Sequence, residues 1–182
     1  DNLIFDIGAG ESRSAVDAAF AQAAHVTRLE LVNNRIVANS IEPRAALADY
    51  DAATGRSTLY TPTQGPHVVY EQIADAILKI GREQLRVVSG NVGGAFGMKI
   101  FLHPEQPIVV WASRRLRRAV RWTAERSEAF LSDVQGRDNH TTVELAMDGD
   151  GRFLALRVTT LANMGAYLSN YAPYIPQLAV YM

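Results

Sequence analysis

The segment Gly90-Asn91-Val92-Gly93-Gly94-Ala95-Phe96-Gly97-Met98-Lys99 carries four glycines and follows, after Ser89, the β-branched run Leu85-Arg86-Val87-Val88. Glycine tolerates positive φ and lets main chain come within contact distance of a ligand. Successive exposed N–H groups in such a bend form a concavity that suits an anion or an oxo group. The same glycines also suit a tight connection after a strand, and taken alone they favour that plainer reading. The segment is not a Walker A loop, because Lys99 is followed by Ile100 and no Ser or Thr stands ready for Mg²⁺. Nor does it have the Gly-x-Gly-x-x-Gly spacing of a dinucleotide fingerprint. Phe96 is unusual in a phosphate cradle; it serves either as a wall against a small or planar group or as an anchor into the core.

Gln64 lies in a second loop, bounded by Pro62, Gly65 and Pro66. A carboxamide there can donate to an oxo ligand and accept from a hydroxyl; by itself, capping of a helix that starts at Pro66 explains it as well. Arg114, Arg115, Arg117, Arg118 and Arg121 form a basic cluster. A solvated helix end explains it better than a nucleic-acid site, since cations suit a helix C-terminus and no aromatic platform interleaves with the arginines. His25, His67, His103 and His140 are too widely spaced to suggest a metal site. Glu42 and Glu105 are possible site carboxylates, but each adjoins a proline and serves equally to cap or pair. Arg137-Asp138 and Asn163-Met164-Gly165-Ala166-Tyr167 are loop contacts or turns.

These residues sit in a chain of 182 residues, 48% hydrophobic, with net charge −1 and no cysteine. That composition suits one packed domain or two small ones. The charge balance gives no bulk attraction to nucleic acid or membrane. Without cysteine there is no disulfide, thiolate metal site, cluster ligand or cysteine nucleophile in these residues. No apolar run, 108–112 included, is long enough to span a bilayer. The apolar C-terminal stretch and the initial Asp lead us to expect a piece of a longer polypeptide.

The periodicity predicts a helix over 14–25, begun by a capping-box variant at Ser14, then an alternating stretch over 26–38 with a bulge at Asn33-Asn34. A hairpin pairs 45–50 with 57–60. A helix starts at Pro66, shows an apolar face at Val69, Ile73, Ala76/Ile77 and Ile80, and stops at Gly81. A strand over 84–88 leads into the glycine bend. A helix follows over 108–116, with Val109, Val110 and Leu116 inside and the arginines outside. A short strand over 120–122 and a short helix over 124–131 come next. A long hairpin pairs 140–147 with 153–161 around Asp148-Gly149-Asp150-Gly151. The mixture lacks a regular βαβ rhythm and reads as α+β, with mixed or antiparallel sheets and helices packed on them.

Five motifs occur in an order that resembles a known superfamily. They are Ile41-Glu42-Pro43-Arg44-Ala45-Ala46, Tyr60-Thr61-Pro62-Thr63-Gln64-Gly65-Pro66-His67, Gly93-Gly94-Ala95-Phe96-Gly97-Met98-Lys99, Gln135-Gly136-Arg137-Asp138 and Asn163-Met164-Gly165-Ala166-Tyr167. The set is similar to the molybdenum-binding large subunit of the xanthine dehydrogenase and aldehyde oxidase superfamily, most of all to the carbon monoxide dehydrogenase large chain. The resemblance implies that residues 1–182 belong to the molybdopterin-binding region, with a sub-domain boundary near 100–135. It implies a molybdenum-dependent oxidoreductase using hydroxide and oxo chemistry at molybdenum. The cofactor would be molybdopterin, in bacteria often the cytosine dinucleotide. Electrons would pass to an iron–sulfur small subunit and an FAD medium subunit. A small-molecule substrate, a cytoplasmic location, and no nucleic-acid or membrane partner are expected with it.

By the same resemblance Gln64 hydrogen-bonds an oxygen ligand of the metal, and Gly94, Ala95, Phe96 and Gly97 lie against the pterin and the metal ligands. No residue here is expected to ligate the metal directly. The family's catalytic glutamate, and the cysteine loop of carbon monoxide dehydrogenases, are expected beyond Met182. These 182 residues alone are therefore expected neither to hold the cofactor nor to turn over. Ala95 stands where the family usually has a glycine; if that position requires positive φ, alanine costs about 1 kcal/mol or more. Ile100 stands where purine-oxidising members carry a glutamate, which disfavours a purine substrate. The alternatives are a non-catalytic binding or assembly module of the same fold, and a nucleic-acid binder using the arginine cluster.

Overall fold

Strand β3 (Ala45–Asp51) alternates small buried residues with exposed ones, so Ala46 and Ala48 turn inward with essentially no exposure. Small side chains on that face let helix α3 (Glu105–Leu116) come close, and Val109 and Val110 fill the space above them. β4 (Arg56–Tyr60) adds buried Leu59 and β5 (Leu85–Val88) adds Leu85 to the same core. The computed structural model describes residues 2–169 and 171–180. Their chain divides into two compact units. One combines the residues up to Ile36 with those from Gly136 onward; the other runs Val37–Gln135. The short strands β2 (Ile36–Val37) and β7 (Gln135–Gly136) mark where the chain passes from one to the other.

The Val37–Gln135 unit is built on a four-stranded sheet of order β5-β4-β3-β6, where β6 is Val120–Thr123. β3 pairs antiparallel with β4 and with β6, whereas β4 and β5 are parallel. A parallel pair needs a crossover, and α2 (Pro66–Glu71) supplies it. Pro66 stands in its first turn, where the missing N–H has no helical partner to lose. The expected apolar face then shifts. Residues Gln72–Leu78 continue as a π-helix, whose i→i+5 bonding adds a residue per turn. Leu78 rather than Ile77 therefore follows Ile73 onto the core, and Ile77 is 48% exposed. The helix ends on Lys79 in the left-handed region (φ 51°), not on Gly81.

Two further expectations need correction here. α3 begins at Glu105 rather than 108, since Pro107 lies in the first turn and loses no helical bond there. Leu116 is 62% exposed, and Arg114 is partly buried. The Arg114 guanidinium lies over the Tyr50 ring and donates to Gly55 O and Ser57 Oγ, so it belongs to the packing of the hairpin rather than to a free basic face. α4 (Arg126–Ser132) closes this unit.

The other unit is a three-stranded antiparallel sheet, β1-β8-β9, formed by His25–Asn33, Asn139–Met147 and Phe153–Ala162. β1 ends at Asn33 instead of continuing through a bulge, and both of its faces are exposed. The β8–β9 turn is held by Asp148, whose Oδ1 accepts from the amides of Asp150 and Arg152. α1 (Arg13–Ala21) is capped by Ser12, two residues before the expected box. It meets the sheet through Phe20 beneath the Arg157 guanidinium and through an Asp17–Arg157 ion pair. α5 (Tyr174–Val180) follows; the final residues of the sequence lie outside the described ones. No helix among the described residues is long and apolar enough to cross a membrane.

Candidate functional site

The glycine bend and the glutamine loop meet. The amide of Gly97 donates to Gln64 Oε1 at 3.0 Å. Gln64 is thus not a cap for the helix at Pro66; the N-cap position is Gly65, and its amide donates to Thr63 Oγ1 rather than to Gln64. The bend turns through Gly94 (φ 97°), Phe96 (φ 52°) and Gly97 (φ 88°). Ala95 is not among the residues with positive φ, so alanine there carries none of the strain considered above. The strain falls on Phe96 instead. A bulky residue in the left-handed region costs about 1–2 kcal/mol, and such outliers cluster where a backbone is held for a purpose. The Phe96 side chain is no core anchor, since the residue is 78% exposed.

Among the described residues the amides of Gly94, Ala95 and Phe96 donate to no protein acceptor, and neither does Gln64 Nε2. The bend and the Gln64 loop together therefore offer four sets of N–H donors, three of them from the bend, which has no anionic side chain of its own. That donor set suits an acceptor-rich group bearing oxo or similar ligands. Among the described residues no three His, Cys, Asp or Glu side chains gather to ligate a metal. A metal fitting this bend would carry its own ligands and be held through them. Beside the bend a shallow groove of about 310 Å³ is lined by Glu42, Tyr60, Thr61, Pro62, Val88, Gly90 and Asn91.

Two ionic groups lie around this region; the sequence offered Glu42 and Glu105 as carboxylates that could pair but gave no cation for either. Lys99 is 2% exposed, and its Nζ donates to Glu42 O and Glu42 Oε2. Burial pushes the Glu42 carboxyl up, but the hydrogen bonds from Lys99 and Gly93 and the charge of Lys99 outweigh it, leaving its pKa below the ordinary value. Arg44 pairs with Asp133 and Glu105, donates to Ser132 Oγ, and lies 5.4 Å from the centre of the Trp122 ring. Burial raises the Glu105 carboxyl above its usual value even though Arg44 draws it down. Glu42 and Glu105 thus both pair with cations. A lone Glu before Pro43 or after Pro104 carries no mark of which distant cation it meets.

His103 is buried behind the bend, and its Nε2 donates to Met98 O at 3.2 Å. Burial, then the nearby Arg44 charge, lower its pKa to about 4. The unfolded imidazole titrates near 6.5, so between pH 6.5 and 4 the unfolded chain binds a proton that the folded one refuses. Stability contributed by neutral His103 is present above pH 6.5 and is lost as pH falls toward 4. That lowering corresponds to about 3 kcal/mol. Urea unfolding at pH 7 and pH 4.5 should show this loss, and a His103→Gln variant should show a smaller one. Equal pH dependence in the two proteins would remove His103 from the account.

Over residues 1–182 the sequence matches the family described as Molybdopterin cofactor-binding domain. The chain belongs to this family. It is 34% identical over 166 residues to the carbon monoxide dehydrogenase large chain of Hydrogenophaga pseudoflava, covering 91% of this chain and 20% of that protein. It is 32% identical over 152 residues to the nicotine 6-hydroxylase large subunit of Paenarthrobacter nicotinovorans, covering 84% of this chain and 18% of the relative. Quinoline 2-oxidoreductase from Pseudomonas putida 86 superposes with a TM-score of 0.79 at 37% identity, over 85% of this chain and 20% of that one. The chain thus spans about a fifth of the length of the relatives it matches. Its mixed helices and sheets are those of this molybdopterin cofactor-binding fold, as the α+β reading anticipated.

Proposed function

We propose that this chain supplies part of the cofactor wall of a molybdenum hydroxylase. The single observation that carries the reading is the contact between Gln64 Oε1 and the Gly97 amide. It sets one carboxamide beside three amides that have no protein acceptor among the described residues. Gln64 Nε2 and the amides of Gly94, Ala95 and Phe96 would hold the oxygen ligands of a molybdopterin-bound metal, and Gly97 would orient the carboxamide by donating to it. Phe96 would present its exposed ring as a wall. When bound, that group supplies two-electron oxidation with oxygen drawn from water. The chain's own part is to orient it with fixed dipoles that need no rearrangement.

The finer parts of the reading rest on the relatives. The pterin is proposed as the cytosine dinucleotide. Electrons are proposed to leave to an iron–sulfur subunit and an FAD subunit, in keeping with relatives named as a large chain, a large subunit and a complex subunit and with the lack of cysteine here. With Ile100 after Lys99, an aldehyde, an N-heterocycle or carbon monoxide is favoured over a purine. The catalytic glutamate is proposed to lie outside these residues, and the cytoplasm is the proposed location.

Molybdenum and released pterin should be measured on the complete native polypeptide after gentle purification. About one of each per chain is expected. A folded polypeptide repeatedly free of both would favour a binding or assembly module of the same fold and end this reading.

A further inference from the structure

Lys99 stands where three loops cross. Its Nζ reaches Glu42 O at 2.8 Å and Glu42 Oε2 at 2.9 Å. Its carbonyl accepts from Thr63 Oγ1 at 2.9 Å and from the Gln64 amide at 3.1 Å. Glu42 completes the circuit. Its Oε2 also accepts from the Gly93 amide at 2.8 Å, and its own amide donates to Gly93 O at 3.0 Å. The fit there is close enough that a Cβ on Gly93 would lie 2.6 Å from Glu42 Cβ. The Glu42 loop is itself fixed from α4, where Arg126 donates to Asn39 Oδ1, Ser40 O and Ile41 O. The glycine bend is thus tied at Gly93 by Glu42, and at Lys99 by both Glu42 and the Gln64 loop.

We propose that Lys99 and Glu42 are positioning residues that set the Gln64 carboxamide against residues 94–97, so that their N–H donors converge on one oxygen-rich ligand. This rests on the functional reading above. The choice of residue supports it. The Lys99 side chain is 1% exposed while Glu42 is 36% exposed. Burying an ammonium is costly, and an apolar residue of similar volume commonly serves stability as well or better. A charge retained at this point gains geometry: it fixes one carboxylate that in turn fixes Gly93. Neither residue would touch the metal ligands, so both act through the bend.

The test compares Lys99→Met, Glu42→Gln and the double variant with the parent in the complete native polypeptide. Deuterium uptake is followed in peptides spanning 93–98 and 105–116, and molybdenum per chain is measured alongside. Each single substitution should speed exchange over 93–98 at least tenfold and lower molybdenum content at least fivefold, while 105–116 keeps its parental rate. The double variant should be no worse than Lys99→Met, because the two residues act as one unit. Exchange over 93–98 within threefold of the parent overturns the proposal. So does equal acceleration over 105–116, which marks general loosening, and so do additive effects in the double variant. If Lys99→Met does not accumulate, Glu42→Gln carries the same test, since it conserves shape at a part-exposed position. A parent polypeptide without molybdenum ends the functional reading separately; the exchange comparison then decides the positioning role alone.

Discussion

Arg44→Ala should lower the unfolding free energy by about 3–5 kcal/mol, the cost of removing one partner from a buried ion pair. The Arg44 side chain is 7% exposed, and its partners Glu105 and Asp133 are 15% and 1% exposed. Alanine leaves both carboxylates without their cation, deprives Ser132 Oγ of a donor, and empties the space over Trp122. Asp133 is the costlier orphan, because its side chain is the more deeply buried of the two. Glu105 can respond in part by binding a proton, and burial already raises its pKa. Urea unfolding at pH 7 measures the loss; a change below about 1 kcal/mol would mean that the cluster is solvated in solution. Replacing all three residues by apolar ones of matched volume should recover most of the stability.

Gln64→Ala should cut turnover by roughly 10²–10³, the effect of deleting one oriented donor at a reacting centre. The comparison is made per molybdenum bound, with an aromatic aldehyde, an N-heterocycle and carbon monoxide as trial substrates. Gln64→Glu separates two roles of the side chain. A carboxylate still accepts from the Gly97 amide, as Gln64 Oε1 does at 3.0 Å, but it donates nothing. If donation matters, Gln64→Glu should be as slow as Gln64→Ala. Turnover within threefold of the parent at equal metal content would remove Gln64 from the centre.

Local pattern carried much of the fold. The 45–60 hairpin, the Pro66 helix start, the strand before the glycine bend and the long β8–β9 hairpin all announce themselves within a few residues. Features decided by distant partners did not. Ile73 and Ile77 have ordinary helical spacing, and nothing beside them signals the π-helix that moves Leu78 inward. The bulge expected at Asn33-Asn34 does not form; β1 ends there and exposes both faces. In the site, glycine and proline marked both loops that meet at Gln64 and Gly97. The strained residue is not Ala95, where glycine is customary, but Phe96, which adopts the positive φ that its bulk gives no sign of. In the sequence Lys99 stands as a lysine without a Walker Ser or Thr and as the last residue of the third motif. A cation between Met98 and Ile100 gives no hint that its partner lies 57 residues earlier.

The two-part origin of the β1-β8-β9 sheet bears on how the chain is made. His25 pairs with Met147 and Asn33 with Asn139, so 106 to 122 residues separate the partners. At ribosomal speeds of about 5–20 residues per second, β1 leaves the exit tunnel roughly 5–24 s before β8 exists to receive it. During that interval the edge of β1 that β8 later takes is open to other nascent chains, while everything needed for the Val37–Gln135 unit is being completed in between. Newborn copies crowded on one messenger therefore run their greatest risk of sticking together through β1, and a holding chaperone would find its earliest foothold there.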